Sequence, residues 1–165
     1  MFGAFFVAYV FHRRTEIEVF DTAQATLDLN LGVANTLLLV TSSWAVVRAV
    51  EAARADCYAA VVRRLGIAIA LALAFVAVKC VEYSAKFAAG IDMTTNTFYM
   101  FYFSLTMIHL AHVLGGTVIL VVTRQNAKRG AYHRADTKGL EAGACYWHLV
   151  DLLWIFLFAL LYLLR

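Results

Sequence analysis

Two apolar runs, Thr97 to Val122 and Ala144 to Leu164, decide what this chain can fold into. Each is long enough for the roughly 20 residues that a bilayer-crossing helix needs. Hydrocarbon offers no water to an unpaired N–H or C=O, so such a run must be a helix, which satisfies its own backbone. Leu31–Val50 and Leu65–Tyr83 are nearly as apolar. The chain is 63% hydrophobic and has no proline. It reads as all-α: one polytopic membrane bundle over residues 1–165, with no soluble domain attached. Met1–Phe11 is apolar too, yet covers only about half a bilayer at 1.5 Å per residue. It lacks the basic start and the small-residue cleavage site of a signal peptide. It reads as the outer half of a first helix truncated at its N-terminus, making five transmembrane helices. The plainer reading is a half-inserted N-terminal segment.

The charges between the runs set a topology. Arg48, Arg54, Arg63 and Arg64 surround the second loop, and Arg124, Lys128, Arg129, Arg134 and Lys138 the fourth. The first loop mixes Arg13 and Arg14 with Glu16, Glu18, Asp21 and Asp28, and the third holds Lys86 and Asp92. By the positive-inside rule, loops two and four are cytoplasmic and the C-terminus is outside. Topology accounts for these basic residues, so they do not argue for nucleic acid. Cys57, Cys80 and Cys145 are scattered and form no C-x-x-C, which leaves a disulfide framework or thiolate site without support.

Local signals refine the picture. The first loop is long enough for a short surface helix, and Val46–Val62 extends the second run inward. Asn96 suits the cap of the fourth helix. Ala111 and Gly115 stand four apart beside Gly116, a small-residue face on which a neighbouring helix can settle. Phe98, Tyr99, Phe101, Tyr102 and Phe103 suit the outer membrane interface. Trp147 suits an interface and Trp154 a packing seam.

Ionisable residues inside the runs exclude a simple anchor. Lys79, Glu82, His109, His112 and Asp151 each cost about 2.5–3.5 kcal/mol at a bilayer centre on insertion scales, so each should face a partner or polar cavity. His109 and His112 share a helix face. Haem or copper ligation is the sharp reading of that pair; hydrogen bonding to neighbouring helices is the bland one. Glu82 with Lys86 is the favourable i, i+4 order, worth a few tenths of a kcal/mol, with Lys86 snorkelling outward. The alternative is a proton-active or lipid-facing carboxylate. Glu141, His148 and Asp151 open the fifth helix at the cytoplasmic side. Asp151 is one turn from His148 and placed to orient it or to pair with a base. A proton-collecting surface and a satisfied interhelical network both fit, since His titrates near neutrality. No Gly-rich phosphate loop, nucleophile elbow or complete metal-ligand set appears.

Cys145-Tyr146-Trp147-His148-Leu149-Val150-Asp151-Leu152-Leu153-Trp154, after Leu140-Glu141-Ala142-Gly143, resembles the closing signature of haem–copper oxidase subunit III. Met107-Ile108-His109-Leu110-Ala111-His112-Val113-Leu114-Gly115-Gly116 resembles that family's two histidines before a glycine. Val81-Glu82-Tyr83, Asn35-Thr36-Leu37-Leu38-Leu39 and Thr41-Ser42-Ser43 resemble its preceding helices, in family order. Thr97–Phe103 and Leu160–Arg165 look most like the short NorE branch, associated with nitric oxide reductase. The resemblance implies five helices and a bacterial inner-membrane subunit with neither haem nor copper of its own. It implies bound phospholipid, and a catalytic haem-bearing partner carrying copper or non-haem iron. Stability and proton uptake of that partner would be its task. Glu82, His109, His112, Glu141, Trp147, His148 and Asp151 match family motif positions, as a buried polar network with some lipid contact. A membrane glutamate that the family carries just before the stretch matching Met1–Tyr9 is not in this sequence. Two other classes stay open on the residues alone. A stand-alone haem protein would use His109, His112 and His148; a small proton or ion transporter would use Glu82, His109, His112 and Asp151, without the repeats or broken helices typical of transport sites.

Overall fold

The computed structural model describes residues 2–132 and 136–164; Arg134 of the fourth loop lies outside them. In chain order the elements are α1 (Phe2–Thr15), α2 (Ile17–Gln24), α3 (Leu29–Arg54), α4 (Tyr58–Ala88), α5 (Thr97–Lys128) and α6 (Lys138–Phe158). A π-helical turn, Ala159–Leu163, continues α6. The helices Leu29–Arg54, Tyr58–Ala88, Thr97–Lys128 and Lys138–Leu163 are long and apolar enough to cross a membrane. Outward-facing Leu37, Trp44, Val81 and Val118 are largely exposed on the isolated chain, as lipid-facing side chains are.

The four spans close a ring: α3 packs on α4, α4 on α5, α5 on α6, and α6 back on α3. One end of the ring carries α2 and the α4–α5 loop, hereafter the α2 end. The opposite, basic end carries the α3–α4 and α5–α6 connections. α1 and α2 pack outside the ring on α5. The Phe2 ring meets His112 and the His12 ring meets Phe101, each with centroids 5.5 Å apart. α1 therefore runs antiparallel to α5 along its half nearer the α2 end. Its 14 residues make it about 21 Å long, short of the ~30 Å hydrocarbon core.

Local chemistry sets the helix limits. Asp28 accepts from the N–H groups of Asn30 and Leu31 and caps α3; Asn96 accepts from Tyr99 N–H at 2.9 Å and caps α5. The far ends of α3, α4 and α5 share one closure. Cys57, Ile91 and Ala131 each donate back to the carbonyl five residues earlier, across Asp56, Gly90 and Gly130. Those three residues have φ of 55°, 73° and 75°, the left-handed geometry that this closure requires. The expected extension of the second helix over Val46–Val62 is cut at this turn: α3 ends at Arg54, and Tyr58–Val62 belong to α4, because the chain reverses at Asp56.

Two carbonyls of the π turn receive side chains from outside the ring. Tyr9 on α1 donates to the Leu160 carbonyl at 3.1 Å, and Gln24 on α2 to the Leu161 carbonyl at 2.8 Å. This fastens α1 and α2 over the end of α6. The aromatic residues opening α5 are not an interfacial belt. All five are buried: Tyr9, His12 and Phe20 of α1 and α2 cover Phe98 and Phe101, Thr26 just after α2 meets Tyr99, Tyr102 turns inward to Glu82, and Phe103 packs on Tyr83 and Phe87 of α4.

Candidate functional site: a buried ionic cluster and a histidine layer

The strongest polar assembly sits at the α2 end of the ring, on α4, α5 and the π turn. Lys79 Nζ donates to Glu82 Oε2 at 2.8 Å, with side chains 1% and 6% exposed. Tyr102 and Tyr162 donate to the other carboxylate oxygen, Glu82 Oε1, at 2.5 and 2.9 Å. Tyr162 also accepts from Lys79 at 3.3 Å. Both carboxylate oxygens are thereby filled. The ammonium is wrapped in π faces, 4.8 Å from the Trp154 ring and 5.6–6.0 Å from the Tyr102, Tyr162 and Tyr83 rings. Tyr83 donates to Thr106 at 2.7 Å and extends the network along α5.

This assembly corrects the expected pairing. Glu82 takes Lys79 at i−3, not Lys86 at i+4. Lys86 does not snorkel outward; it is buried, with its ammonium 5.5 Å from the Tyr99 ring and 5.4 Å from the Tyr102 ring. Spacing alone slightly favours Lys86. The tyrosines arriving from α5 and the π turn make the difference, because they seat the carboxylate facing inward.

One layer further toward the basic end, His109 is fully buried between Phe75 of α4 and Trp154 of α6, with ring centroids 5.9 and 5.2 Å away. Neither ring nitrogen has a hydrogen-bond partner, and neither side-chain polar atom of buried Asn35 on α3 has one. Trp154 donates to Thr36 on α3 at 3.1 Å. His112 points elsewhere. Its Nδ1 lies 2.7 Å from the Ile108 carbonyl, which can only accept, so that nitrogen carries the proton. The two histidines do not converge. Among the described residues, no group of three or more His, Cys, Asp or Glu side chains is arranged to hold a metal ion.

The third cluster lies nearer the basic end. His148 Nδ1 is 2.5 Å from Ser43 Oγ on α3, and Ser43 also lies against the Asp151 carboxyl. Asp151 is buried and its Oδ1 is unpartnered. The expected direct His148–Asp151 orientation is replaced by a serine contributed from another helix. Glu141 pairs with Arg54 at 2.9 Å and accepts from Thr137 at 2.7 Å. Its side chain is 41% exposed and that of Arg54 64%, so solvent screens the pair and it adds little to stability. Trp147 is buried, not interfacial, and lies on Gly116. A Cβ at Gly116 would stand 2.8 Å from Trp147 Cε3. The close contact predicted for the Ala111–Gly115 face is thus made by Gly116, while Ala111 and Gly115 are exposed. Sequence reading missed Tyr102, Tyr162 and Ser43 as partners. Their one local signal is a hydroxyl on an otherwise apolar run.

A sequence model of the family described as cytochrome c oxidase subunit III matches residues 2–165. The cytochrome c oxidase subunit 3 of Synechocystis sp. is 33% identical over 165 residues, covering 99% of this chain and 70% of that protein. The subunit 3 of Thermostichus vulcanus is 30% identical over 165 residues, covering 99% of this chain and 80% of that protein. A probable subunit 3 from Rickettsia bellii is 33% identical over 153 residues, covering 89% of this chain and 50% of that longer protein.

Proposed function

Because this chain belongs to the cytochrome c oxidase subunit III family, we propose that it is a non-catalytic membrane subunit of a haem–copper superfamily respiratory complex. It packs on a haem-bearing catalytic partner, stabilises it and supports its proton uptake. Haem, with copper or non-haem iron, belongs to that partner. The observation that carries this reading is where the ionisable side chains of the spans go. Lys79, Glu82 and His148 are engaged between helices, and His109 is packed between two rings. Together with His112, Glu141, Trp147 and Asp151 they serve the packing of the bundle, with some contact to lipid. α1 is the fifth membrane helix in this reading, and the basic end faces the cytoplasm of a bacterial inner membrane, with the C-terminus periplasmic. Within the family we favour a nitric oxide reductase partner, on the resemblance of Thr97–Phe103 and Leu160–Arg165 to the NorE branch. An oxygen-reducing oxidase, the complex named for the relatives, is the alternative.

The test is purification of the tagged chain from its native membranes in mild detergent, with an optical haem spectrum and identification of what co-purifies. A colourless chain accompanied by a large haem-bearing subunit is the expected result, and that subunit's centres name the parent enzyme. A chain that comes alone and carries stoichiometric haem overturns the accessory reading.

A further inference from the structure

Trp154 and Tyr162 both face the ionic cluster, and a regular helix would not align them. At about 100° per residue, Leu161 returns to the face of Trp154, while Tyr162 falls about 80° aside. The π turn holds one more residue, so Tyr162 takes that face. Leu164 N–H donates to the Ala159 carbonyl five residues back at 3.0 Å, and the Tyr162 hydroxyl reaches Glu82 Oε1 at 2.9 Å. Gly32 on α3 gives the room, since a Cβ there would stand 3.0 Å from the Tyr162 ring. The same turn is what α1 and α2 grip. Tyr9 and buried Gln24 donate to the carbonyls of Leu160 and Leu161, inside the stretch whose orientation differs between the two registers. Neither donor hydrogen-bonds to the cluster itself.

We propose that α1 and α2 form a strap that sets the register of the end of α6, and that seating it delivers Tyr162 to the Lys79–Glu82 pair. Strap and cluster close as one unit although they share no side-chain bond. With the strap off, the end of α6 returns to a regular helix. Tyr162 then turns out of the cluster, Glu82 Oε1 keeps Tyr102 alone, and Lys79 loses a hydroxyl and a ring. The π register is held by two strap bonds and by the tyrosine bond to a charged acceptor, against the better geometry of a regular helix. A balance made of a few hydrogen bonds is a two-state element that a contact on its outer side can bias. The inference concerns this chain alone and does not rest on the partner complex proposed above.

A mutant cycle on the full chain in mixed micelles tests it, with Tyr9→Phe/Gln24→Met as the strap-released background. In the parent, Tyr162→Phe should lower the folding equilibrium constant at least about tenfold, because it removes a bond to a carboxylate. In the released background the same change should cost less than about threefold, the hydroxyl having already left Glu82. Tyr102→Phe is the control. It removes a donor to the same oxygen from α5, and should cost at least as much after release as before. Fluorotyrosine at position 162, read by fluorine NMR, should change its resonance when the strap is released. An equal Tyr162→Phe cost in both backgrounds, with an unmoved resonance, separates strap from cluster and overturns the proposal. A Tyr102→Phe cost that collapses in parallel means general loosening of the cluster and overturns control by register. Should the released background not fold, Gln24→Met alone enters the same cycle and is scored by the same two readouts.

Discussion

Replacing Glu82 with glutamine should cost about 3–5 kcal/mol, because it strands the Lys79 ammonium in a site where 1% of its side chain is exposed. Glutamine is nearly the same size, and its amide oxygen can still accept from Tyr102 and Tyr162. The cost therefore comes from the orphaned charge, not from a cavity or lost tyrosine bonds. The surface carboxylate Glu141 supplies the contrast: Glu141→Gln loses an exposed, solvent-screened pair and should change stability far less. The decisive variant is Lys79→Met/Glu82→Gln, which removes the charge and keeps an acceptor for both tyrosines. It should be more stable than Glu82→Gln alone, with a coupling of about 2–3 kcal/mol between the two positions. Equilibrium unfolding in mixed micelles, followed by helical ellipticity, measures the parent, Glu82→Gln, Lys79→Met, the double variant and Glu141→Gln on one scale. A Glu82→Gln protein within about 1 kcal/mol of the parent would refute the reasoning, and so would a double variant whose loss equals the sum of the singles.

His109→Leu should match or exceed the parent in stability, since a buried imidazole with no partner is replaced by a side chain that its aromatic neighbours accept; His109→Ala should lose about 2–5 kcal/mol by emptying the layer. A stoichiometric metal lost in either variant, seen by elemental analysis, would contradict that account. Gly116→Val should cost about 1–3 kcal/mol through collision with Trp147, while Gly115→Val should be milder, its nearest neighbour being Tyr146 Oη at 3.7 Å; thermal unfolding of the pair checks the order. For topology, Cys57, Cys80 and Cys145 are first changed to serine, and single cysteines are placed at Asp92 and Lys128. An impermeant maleimide applied to whole cells or spheroplasts should label position 92 and not position 128; the reverse pattern inverts the proposed orientation.

What sequence alone determined here is whatever depends on composition and near neighbours. Four apolar runs had to be helices because lipid leaves their backbones no other partner. Asn96 announced a helix start, since caps are built from residues adjacent in the chain. The ionisable positions that matter were also visible, because a charge in an apolar run is costly wherever it ends up. Their partners were not. Glu82 can reach Lys79 or Lys86 along a helix, with local order slightly favouring Lys86, and Tyr162, 80 residues away, takes part in the choice of Lys79. His148 meets a serine 105 residues away in place of the aspartate one turn on. Trp147 and the aromatics opening α5 have the composition of a membrane interface, yet are buried because Gly116 admits the first, α1 and α2 cover Phe98 and Phe101, and α4 takes Tyr102 and Phe103. Helical periodicity says which residues share a face; only the packed ring decides what that face meets, because each helix's lateral partners come from distant stretches of chain.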